Sequence, residues 1–402
     1  MSRDLKVGVY GSFFPPIEEA VEQAVLCEAF GLDVVAFTDQ MSGNVPNSAF
    51  HELGIAQMWK QQHGFYDALT LAALTAQKTE RIGLTIAAID TVRNAPTRLA
   101  QQILTLDHIS KGRTTTALGV SEAKNLLQYG HPRIGATAKF KDASRIIRAI
   151  LDNPGKPIYY DGERYSMKGG VVDLTQYGDQ TARIYAACGS SSDNIDLIGE
   201  CYDGMMTVLP AFCQGGVDQF AEDVARVRAA AEKHGRDPDK LGFAAVCMVL
   251  MHDDSDVLDR LAHDDYLRWN TYIYGCAQGS DWDQHGFTHP AGPTYGYARH
   301  LVPERMSREE FFTEARKVSP EAVKAVGHLS GTADDVADRL QPYIDAGLDE
   351  LILIDHAAAG DLSLAGDSAT NLGRLIARLR GTETSSAAGL GYVGLGNTVV
   401  NS

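Results

Sequence analysis

Short runs of β-branched and small apolar residues alternate along the chain with longer stretches whose apolar residues recur at helical spacing. In the first unit, residues 5–11 predict a strand, and IEEAVEQAVLCEAFG predicts a helix that ends at Gly31. Similar units follow down the chain, and a strand followed by a helix is the building block of a parallel sheet. Eight such units predict an α/β fold, a closed (β/α)8 TIM barrel, with an open doubly wound sheet as the alternative.

Three segments are too long for ordinary connections, which usually have about 2–6 residues. Residues 40–66 follow the second strand, residues 120–139 the fourth, and residues 276–330 the seventh strand and its predicted helix over 255–275. Loops after the strands of a barrel surround its active face, so we expect pocket walls or lids, with a subunit contact as the alternative. We expect one domain over residues 1–381 and a flexible tail over 382–402.

Composition and charge narrow the possible functions. With 44% hydrophobic and 22% charged residues among 402, the chain can bury a large core. A formal net charge of −16 argues against binding nucleic acid. No apolar run has the length of a signal peptide or of a membrane span, so we expect a cytoplasmic protein without a membrane span. Six cysteines without any C-x-x-C pair predict reduced, buried thiols and no metal site.

The ends of the predicted strands carry candidate chemistry. The second strand ends in Asp39 and Gln40; the carboxylate can accept a hydrogen bond from a ligand, or simply cap the loop, and the amide can donate to a carbonyl oxygen. The fourth strand ends in GVSEAKN. There Glu122 could act as a general acid if burial raises its pKa, Val120 and Asn125 stand beside it, and the alternative is an ordinary helix start.

Two further segments are weaker candidates. After the fifth strand, Cys188, Gly189 and Ser190 precede a helix, where backbone N–H groups and hydroxyls can hold a phosphate; we interpret the Cys188 thiol as packed rather than nucleophilic. His285 and His289 favour contacts with a substrate over a metal, because glycine and proline interrupt helical spacing there. The chain contains neither G-x-G-x-x-G nor a phosphate-binding P-loop, which argues against a Rossmann nicotinamide site.

Together these motifs resemble one family. FTDQ from Phe37, RNAPTRLAQQ from Arg93, GVSEAKN from Gly119, AACGSS from Ala186 and HGFTHPAG from His285 are similar to the luciferase-like enzymes, which use flavin or deazaflavin. Within that family the chain resembles the branch that uses coenzyme F420, which includes phthiodiolone ketoreductases and F420-dependent sugar-phosphate dehydrogenases. The resemblance extends from about residue 5 to about residue 380.

The resemblance implies a role for each matching position. Glu122 would be the acid–base residue, and a non-proline cis peptide bond at Ile86–Ala87 would lie against the deazaflavin ring. The other implied cofactor contacts are Asp39, Val120, Asn125, Cys188, Gly189 and Ser190.

Two positions depart from the family pattern. Gln40 stands where a histidine is usual, so its polar role could pass to Glu122 or His285. Ala211 replaces a lysine of the sugar-phosphate dehydrogenases, which argues against a sugar phosphate as substrate.

The resulting expectation is hydride transfer between reduced coenzyme F420 and a small, mostly apolar carbonyl, alcohol or imine-type substrate. Three alternatives remain: an FMN-dependent monooxygenase of the same fold, a cofactor-binding protein without catalysis, and a cofactor-free barrel hydrolase or lyase. Because many such enzymes dimerise through barrel helices, we also expect a homodimer.

Overall fold

A ring of eight parallel strands forms the centre of the protein. The structure is a computed structural model and describes residues 4–12, 14–179, 182–187 and 191–382. Within these residues the ring contains β1 Lys6–Tyr10, β2 Val34–Phe37, β3 Gly83–Asp90, β4 Thr114–Gly119, β5 Arg183–Ala187, β6 Gly204–Leu209, β7 Gly242–Met251 and β8 Glu350–Asp355.

Backbone pairing closes this ring. β1 pairs with β2, where Gly8 lies opposite Val34, and also with β8, where Lys6 lies opposite Glu350. β6 pairs with β7, and β7 pairs with β8. Each of the eight strands therefore has two neighbours, which confirms the predicted TIM barrel and shows that the open-sheet alternative is wrong.

Helices surround the barrel. In the described part of the chain the main ones are α1 Ile17–Ala29, α2 Ala68–Ala76, α3 Pro96–Ser110, α4 Ala136–Asp152, α5 Ser192–Cys201, α6 Gly216–Lys233, α7 Ala333–Asp345 and α8 Ala365–Arg380. The sequence of α6 shows why it packs as it does: Phe220, Val224, Val227 and Ala231 recur at spacings of three and four and are all buried. Such a stripe lies on one face of a helix and packs on the strands.

Side chains on each strand alternate between two cores. In β3, Leu84 and Ile86 belong to the core between the strands and the helices. Ala87 belongs to the smaller core inside the barrel, together with Met206 of β6 and Ile352 of β8. This alternation decides which side chains of a strand can reach a ligand in the barrel mouth.

The three predicted insertions contain short elements of their own. After β2 these are the helices Asn47–Phe50 and Gly54–Gln57, and after β4 they are Ala123–Leu126 and Leu127–Tyr129. After β7 the chain first forms the helices Ser255–Leu261 and Asp265–Tyr274, and the insertion then contains Gly279–His285, Tyr297–His300, Pro303–Arg305, Arg308–Arg316, Pro320–Ala322, the π-helix Val323–Gly327 and the strand Leu329–Gly331. Further short helices are Pro238–Lys240, Ala357–Gly360 and Leu362–Leu364.

The insertions after β2 and β7 share a core of their own. Phe50 from the first packs in one cluster with Trp282 and Phe311 from the second and with Trp269 from the preceding helix Asp265–Tyr274. The prediction of one continuous helix over 255–275 is wrong, because Asp264 accepts a hydrogen bond from the Leu267 N–H and starts a second helix. The two insertions therefore form one wall above the barrel.

Other predictions concern the periphery. A hairpin lies outside the ring of strands, with Ile158–Asp161 antiparallel to Ser166–Gly170. The predicted tail lies, except for Thr382, outside the described residues. No helix in the described ranges is long and apolar enough to cross a membrane.

Replacing Gly8 with alanine should destabilise the barrel. A Cβ atom at this position would lie 2.0 Å from the carbonyl oxygen of Val34, where backbone cannot move without disturbing the β1–β2 pairing. We expect Gly8→Ala to lower the free energy of unfolding by about 3 kcal/mol in a urea titration. Gly366 in α8 is a matched control with open space around it, and Gly366→Ala should raise stability by about 0.5 kcal/mol. Equal stability of the two variants would contradict the prediction.

Candidate active site

A cavity of about 730 Å³ opens at the carboxyl ends of the strands. All eight strands contribute to it, with Tyr10, Gln40, Ala88, Glu122, Ala187, Val208, Met248 and His356 standing in or just after strands one to eight. The insertions after β2 and β7 contribute further residues to its wall, among them Trp59 and Tyr297. This is the end of a TIM barrel at which active sites lie.

Asp39 lies in a charged cluster at the edge of this cavity. Its Oδ2 accepts a hydrogen bond from Arg93 Nη2 at 2.8 Å, and Arg93 Nε donates to Asp90 at 2.7 Å. Asp90 also accepts from the hydroxyl of Ser121, whose backbone has a φ of 79°, a conformation rare for a residue other than glycine. Burial raises the pKa of Asp39 despite the neighbouring guanidinium. Asp39 Oδ1 has no partner among the described residues and remains available to a ligand.

Gln40 is oriented by a buried lysine. The Nζ of Lys124 donates to Gln40 Oε1 and to Asn44 Oδ1, both at 2.6 Å, and to the Ser42 carbonyl at 3.1 Å. Because an ammonium can only donate, it holds the oxygen of the Gln40 amide towards itself. The NH₂ group of Gln40 has no partner in the described part of the chain, so it can donate into the cavity.

Lys124 itself is 1% exposed, and burial lowers its pKa, which the charge of Glu122 opposes. Its Nζ lies 3.3 Å from Glu122 Oε2. A buried ammonium with four surrounding oxygens is stabilised only if all of them stay in place. Lys124 therefore holds the start of the 40–66 insertion against the β4 loop.

Asn125 lines the cavity, but its polar atoms are already used. Its Oδ1 accepts from the backbone N–H groups of Met41 and Ser42, and its Nδ2 donates to Gln40 Oε1 and Glu122 Oε2. This side chain therefore positions its neighbours. A direct hydrogen bond from Asn125 to a cofactor would break one of these contacts.

Glu122 faces the cavity among three phenols. Burial, followed by the charge of Glu122, raises the pKa of Tyr10, Tyr274 and Tyr297, and Tyr297 is also hydrogen-bonded to the carboxylate. Tyr10 donates to the Ala87 carbonyl at 2.9 Å, which fixes its ring beside the cavity. The site thus places the Glu122 carboxylate beside phenols that stay protonated at neutral pH.

The cis peptide bond lies one bond later than predicted. It joins Ala87 to Ala88, within the stretch between Ile86 and Ile89 where β3 carries an extra residue relative to β4. Through this bulge both alanines line the cavity. Ile86 does not: its side chain is fully buried in the core between strands and helices, so its predicted contact with a cofactor is wrong.

His285 is also misplaced in the prediction. It ends a 3₁₀ helix, and Gly286 with a φ of 75° turns the chain there, leaving His285 exposed and outside the cavity lining. The buried histidine of the pair is His289, whose Nε2 lies 2.8 Å from the Tyr272 carbonyl and whose Nδ1 accepts from the Ala291 N–H. Both ring nitrogens are therefore hydrogen-bonded to the backbone, and neither is available to a ligand.

The remaining predicted positions lie beside the cavity or outside the described residues. Val120 lines it, and so does Ala187 at the end of β5. Cys188, Gly189 and Ser190, which follow Ala187 directly, lie outside the described residues, so the predicted phosphate cradle stays a prediction.

One end of the cavity is aromatic and apolar. Phe14 packs on Trp59 and Phe65, with ring centroids 4.7 Å and 5.0 Å away, and Tyr266 meets Trp59 edge-on. Ile55 lies in the same wall. We call these five residues the aromatic lobe. It suits an apolar group of a ligand.

Comparison with known proteins places the chain in a family. Residues 4–350 match the family described as luciferase-like monooxygenase. The chain belongs to this family. The prediction from the motifs is thereby confirmed.

Two relatives are similar to this chain over most of its length, at low sequence identity. The phthiodiolone/phenolphthiodiolone dimycocerosates ketoreductase of Mycobacterium kansasii is 26% identical over 348 residues, 86% of this chain and 92% of the relative. The F420-dependent glucose-6-phosphate dehydrogenase of Rhodococcus erythropolis is 24% identical over 372 residues, 90% and 94% of the two chains.

Solved structures share the luciferase-like fold. An F420-dependent secondary alcohol dehydrogenase with an F420–acetone adduct has a TM-score of 0.66 at 17% identity, covering 96% of this chain and 99% of the other. A long-chain alkane monooxygenase has a TM-score of 0.61 at 16% identity, covering 97% and 96%. At these identities the matches establish the architecture.

Sequence reasoning missed several residues of this luciferase-like site. Lys124 stands inside the GVSEAKN motif but has no signal that separates it from a surface lysine. His356 follows β8 directly, so the rule that drew attention to Asp39 and Glu122 could have found it. Tyr297 comes from the long insertion, where no periodicity indicates which side chains turn inward, and Tyr274 ends the helix just before it.

The buried histidines should make stability sensitive to acid. Burial lowers the pKa of His328 to about 4 and that of His356 well below its usual value, so the folded protein resists protonation that the unfolded chain accepts below about pH 6.5. The stability that these two neutral histidines contribute is thus present above pH 6.5 and is lost as the pH falls towards 4. In urea titrations we expect the protonation of His328 alone to lower the free energy of unfolding by about 2 kcal/mol between pH 7 and pH 5. His328→Gln should reduce this loss; an unchanged loss would contradict the prediction.

Proposed function

We propose that this protein is a coenzyme F420-dependent oxidoreductase that transfers a hydride between reduced deazaflavin and a small, mostly apolar carbonyl, alcohol or imine-type substrate. The observation that carries the proposal is the meeting of Gln40, the Ala87–Ala88 bulge and Glu122 around one cavity. The relatives support the same cofactor, since an F420-dependent dehydrogenase is among the similar sequences and another among the similar structures.

The cavity fits a flat tricyclic ring. Ala87 and Ala88 form a wall of small side chains, and the Asp39 Oδ1 can accept a hydrogen bond from an N–H group at the edge of the ring. These residues would hold the deazaflavin. When bound, deazaflavin supplies a hydride rather than oxygen chemistry.

The protein's own groups would supply the proton. Glu122 faces the cavity, and its carboxylate is held by Asn125 and Lys124. From that position the protonated carboxyl form of Glu122 would deliver a proton to the substrate oxygen or nitrogen as the hydride arrives, and the carboxylate form would accept a proton in the opposite direction. Gln40 lacks the basic nitrogen of the usual histidine, so its part is to donate a hydrogen bond to the same oxygen.

The aromatic lobe supports a substrate with an apolar body. Phe14, Trp59 and Phe65 exclude water from this end of the cavity and offer no charged partner. The lobe would therefore bind by contact area, while Gln40 and Glu122 act on the reacting group.

A second candidate function is an FMN-dependent monooxygenase. It is favoured by the similarity to monooxygenase structures and by a ring shape common to both cofactors. The third candidate, a binding protein without catalysis, is favoured by Gln40 in the position of a histidine. The F420-dependent oxidoreductase is the preferred hypothesis, because hydride transfer to a carbonyl requires a proton and Glu122 could provide it.

Cofactor titration separates the first two functions. If the proposed function is right, we expect reduced F420 to quench the fluorescence of the tryptophan and tyrosine residues at the cavity with a Kd at least 10-fold below that of reduced FMN. Turnover of small ketones without consumption of oxygen should accompany this binding. Preference for FMN with oxygen uptake would contradict the proposal, as would tight F420 binding without turnover of any ketone, aldehyde or alcohol.

Replacing Glu122 should affect turnover rather than cofactor affinity. Glu122→Gln preserves shape and hydrogen bonds to Asn125 but removes the transferable proton, so we expect kcat to fall about 10²–10⁴-fold with the Kd for F420 little changed. The matched control is Glu222→Gln on the exposed side of α6, which should leave both values unchanged. Wild-type turnover in Glu122→Gln would remove Glu122 from this role.

A further inference from the structure

A chain of three buried polar side chains ends at the cavity. His356 follows β8 and lines the cavity, and its Nδ1 lies 2.9 Å from His328 Nε2 and 3.2 Å from Asn270 Nδ2. His328 is 0% exposed and His356 8%. Neither the family motifs nor the proposed proton transfer uses these residues.

The hydrogen bonds determine where the protons sit. His328 Nδ1 lies 3.0 Å from the Val323 carbonyl, and since a carbonyl only accepts, that nitrogen carries the proton. Burial keeps the His328 ring neutral, so its Nε2 has a lone pair and accepts. The nitrogen facing it, His356 Nδ1, must therefore be an N–H donor. Asn270 can turn its amide by half a turn and present its oxygen to the same N–H.

The second nitrogen of His356 is then an acceptor. Burial keeps this ring neutral as well, so with the proton on Nδ1 its Nε2 carries a lone pair. Nε2 has no hydrogen-bond partner among the described residues. It is also not one of the polar atoms that are fully buried without a partner. The lone pair therefore opens to the cavity.

We propose that His356 Nε2 is a substrate-binding acceptor, that His328 is the positioning residue that sets its tautomer, and that the substrate carries a hydroxyl group that donates to it. A ketone oxygen has only lone pairs and would be repelled at this point, whereas a hydroxyl fits. The inference rests on the cavity being the substrate site of the proposed function.

The apolar surroundings of this acceptor explain why it would favour ligands that carry a hydroxyl group. Met248 and Ile55 of the cavity wall are apolar, and Tyr266 belongs to the aromatic lobe. A hydroxyl brought into such a wall without a partner would lose its hydrogen bonds to water. His356 therefore favours ligands whose hydroxyl reaches it, while Glu122 keeps the proton transfer.

The tautomer can be observed without any ligand. In protein labelled with ¹⁵N-histidine, we expect both His328 and His356 to be neutral at pH 7 with the proton on Nδ1; His356→Phe and His328→Gln assign the signals. A proton on His356 Nε2 would overturn the proposal, whatever the enzyme's activity.

Binding tests the acceptor with a matched pair of probes, cyclohexanol and cyclohexanone. In the wild type we expect a Kd for the alcohol about 10-fold below that for the ketone, the size of one hydrogen bond in a buried site. The ratio should fall to about 1 in His356→Phe and His328→Leu. It should persist in His328→Gln, whose amide can donate to the Val323 carbonyl and accept from His356 Nδ1–H. The exposed His263→Gln is the control and should keep the wild-type ratio.

The outcomes separate this inference from the proposed function. A ratio near 1 in the wild type, or an unchanged ratio in His356→Phe, would overturn the inference even if F420 binds and ketones are reduced. A Nδ1-protonated His356 with the expected ratios would support it even if F420 does not bind, because neither measurement uses the cofactor.

Discussion

The buried ammonium of Lys124 is the interaction on which the arrangement of the site depends. It draws together oxygen atoms from Gln40, Ser42 and Asn44 of one insertion and from Glu122 of the β4 loop. A charge at 1% exposure is tolerated only while these oxygens surround it, so the two loops cannot separate without exposing it to an apolar interior. The same constraint orients the Gln40 amide and holds the Glu122 carboxylate.

Closure of the barrel imposes the second constraint, which acts through the alternation of side chains. Once β1 pairs with both β2 and β8, each strand has one inward and one outward face. Ile86 points outward and Ala87 inward, and the bulge in β3 adds Ala88 to the inward face. A single extra residue thus decides which side chains form the flat wall of the cavity.

The long insertion illustrates how packing, rather than composition, assigns roles to similar residues. His285 and His289 are four positions apart, yet one is exposed and the other is held by Tyr272 and Ala291. Asn125 lies at the cavity as the motif implied, but its amide is already hydrogen-bonded to Met41 and Gln40. In each case the partner atoms come from elsewhere in the chain, and residue type alone does not reveal them.

The sequence by itself determined the barrel, the position of its insertions, the family, and the placement of Asp39, Gln40 and Glu122 at strand ends, because hydrophobic periodicity and strand-end position are local properties of the chain. Only the tertiary structure decided that Lys124 is buried, that Ile86 and His285 are away from the cavity, and that His356 is tied to His328. These facts depend on contacts such as His328–His356 and Lys124–Gln40, between residues 28 and 84 positions apart, and on strand register. No local pattern records such contacts, because they form only when the barrel closes.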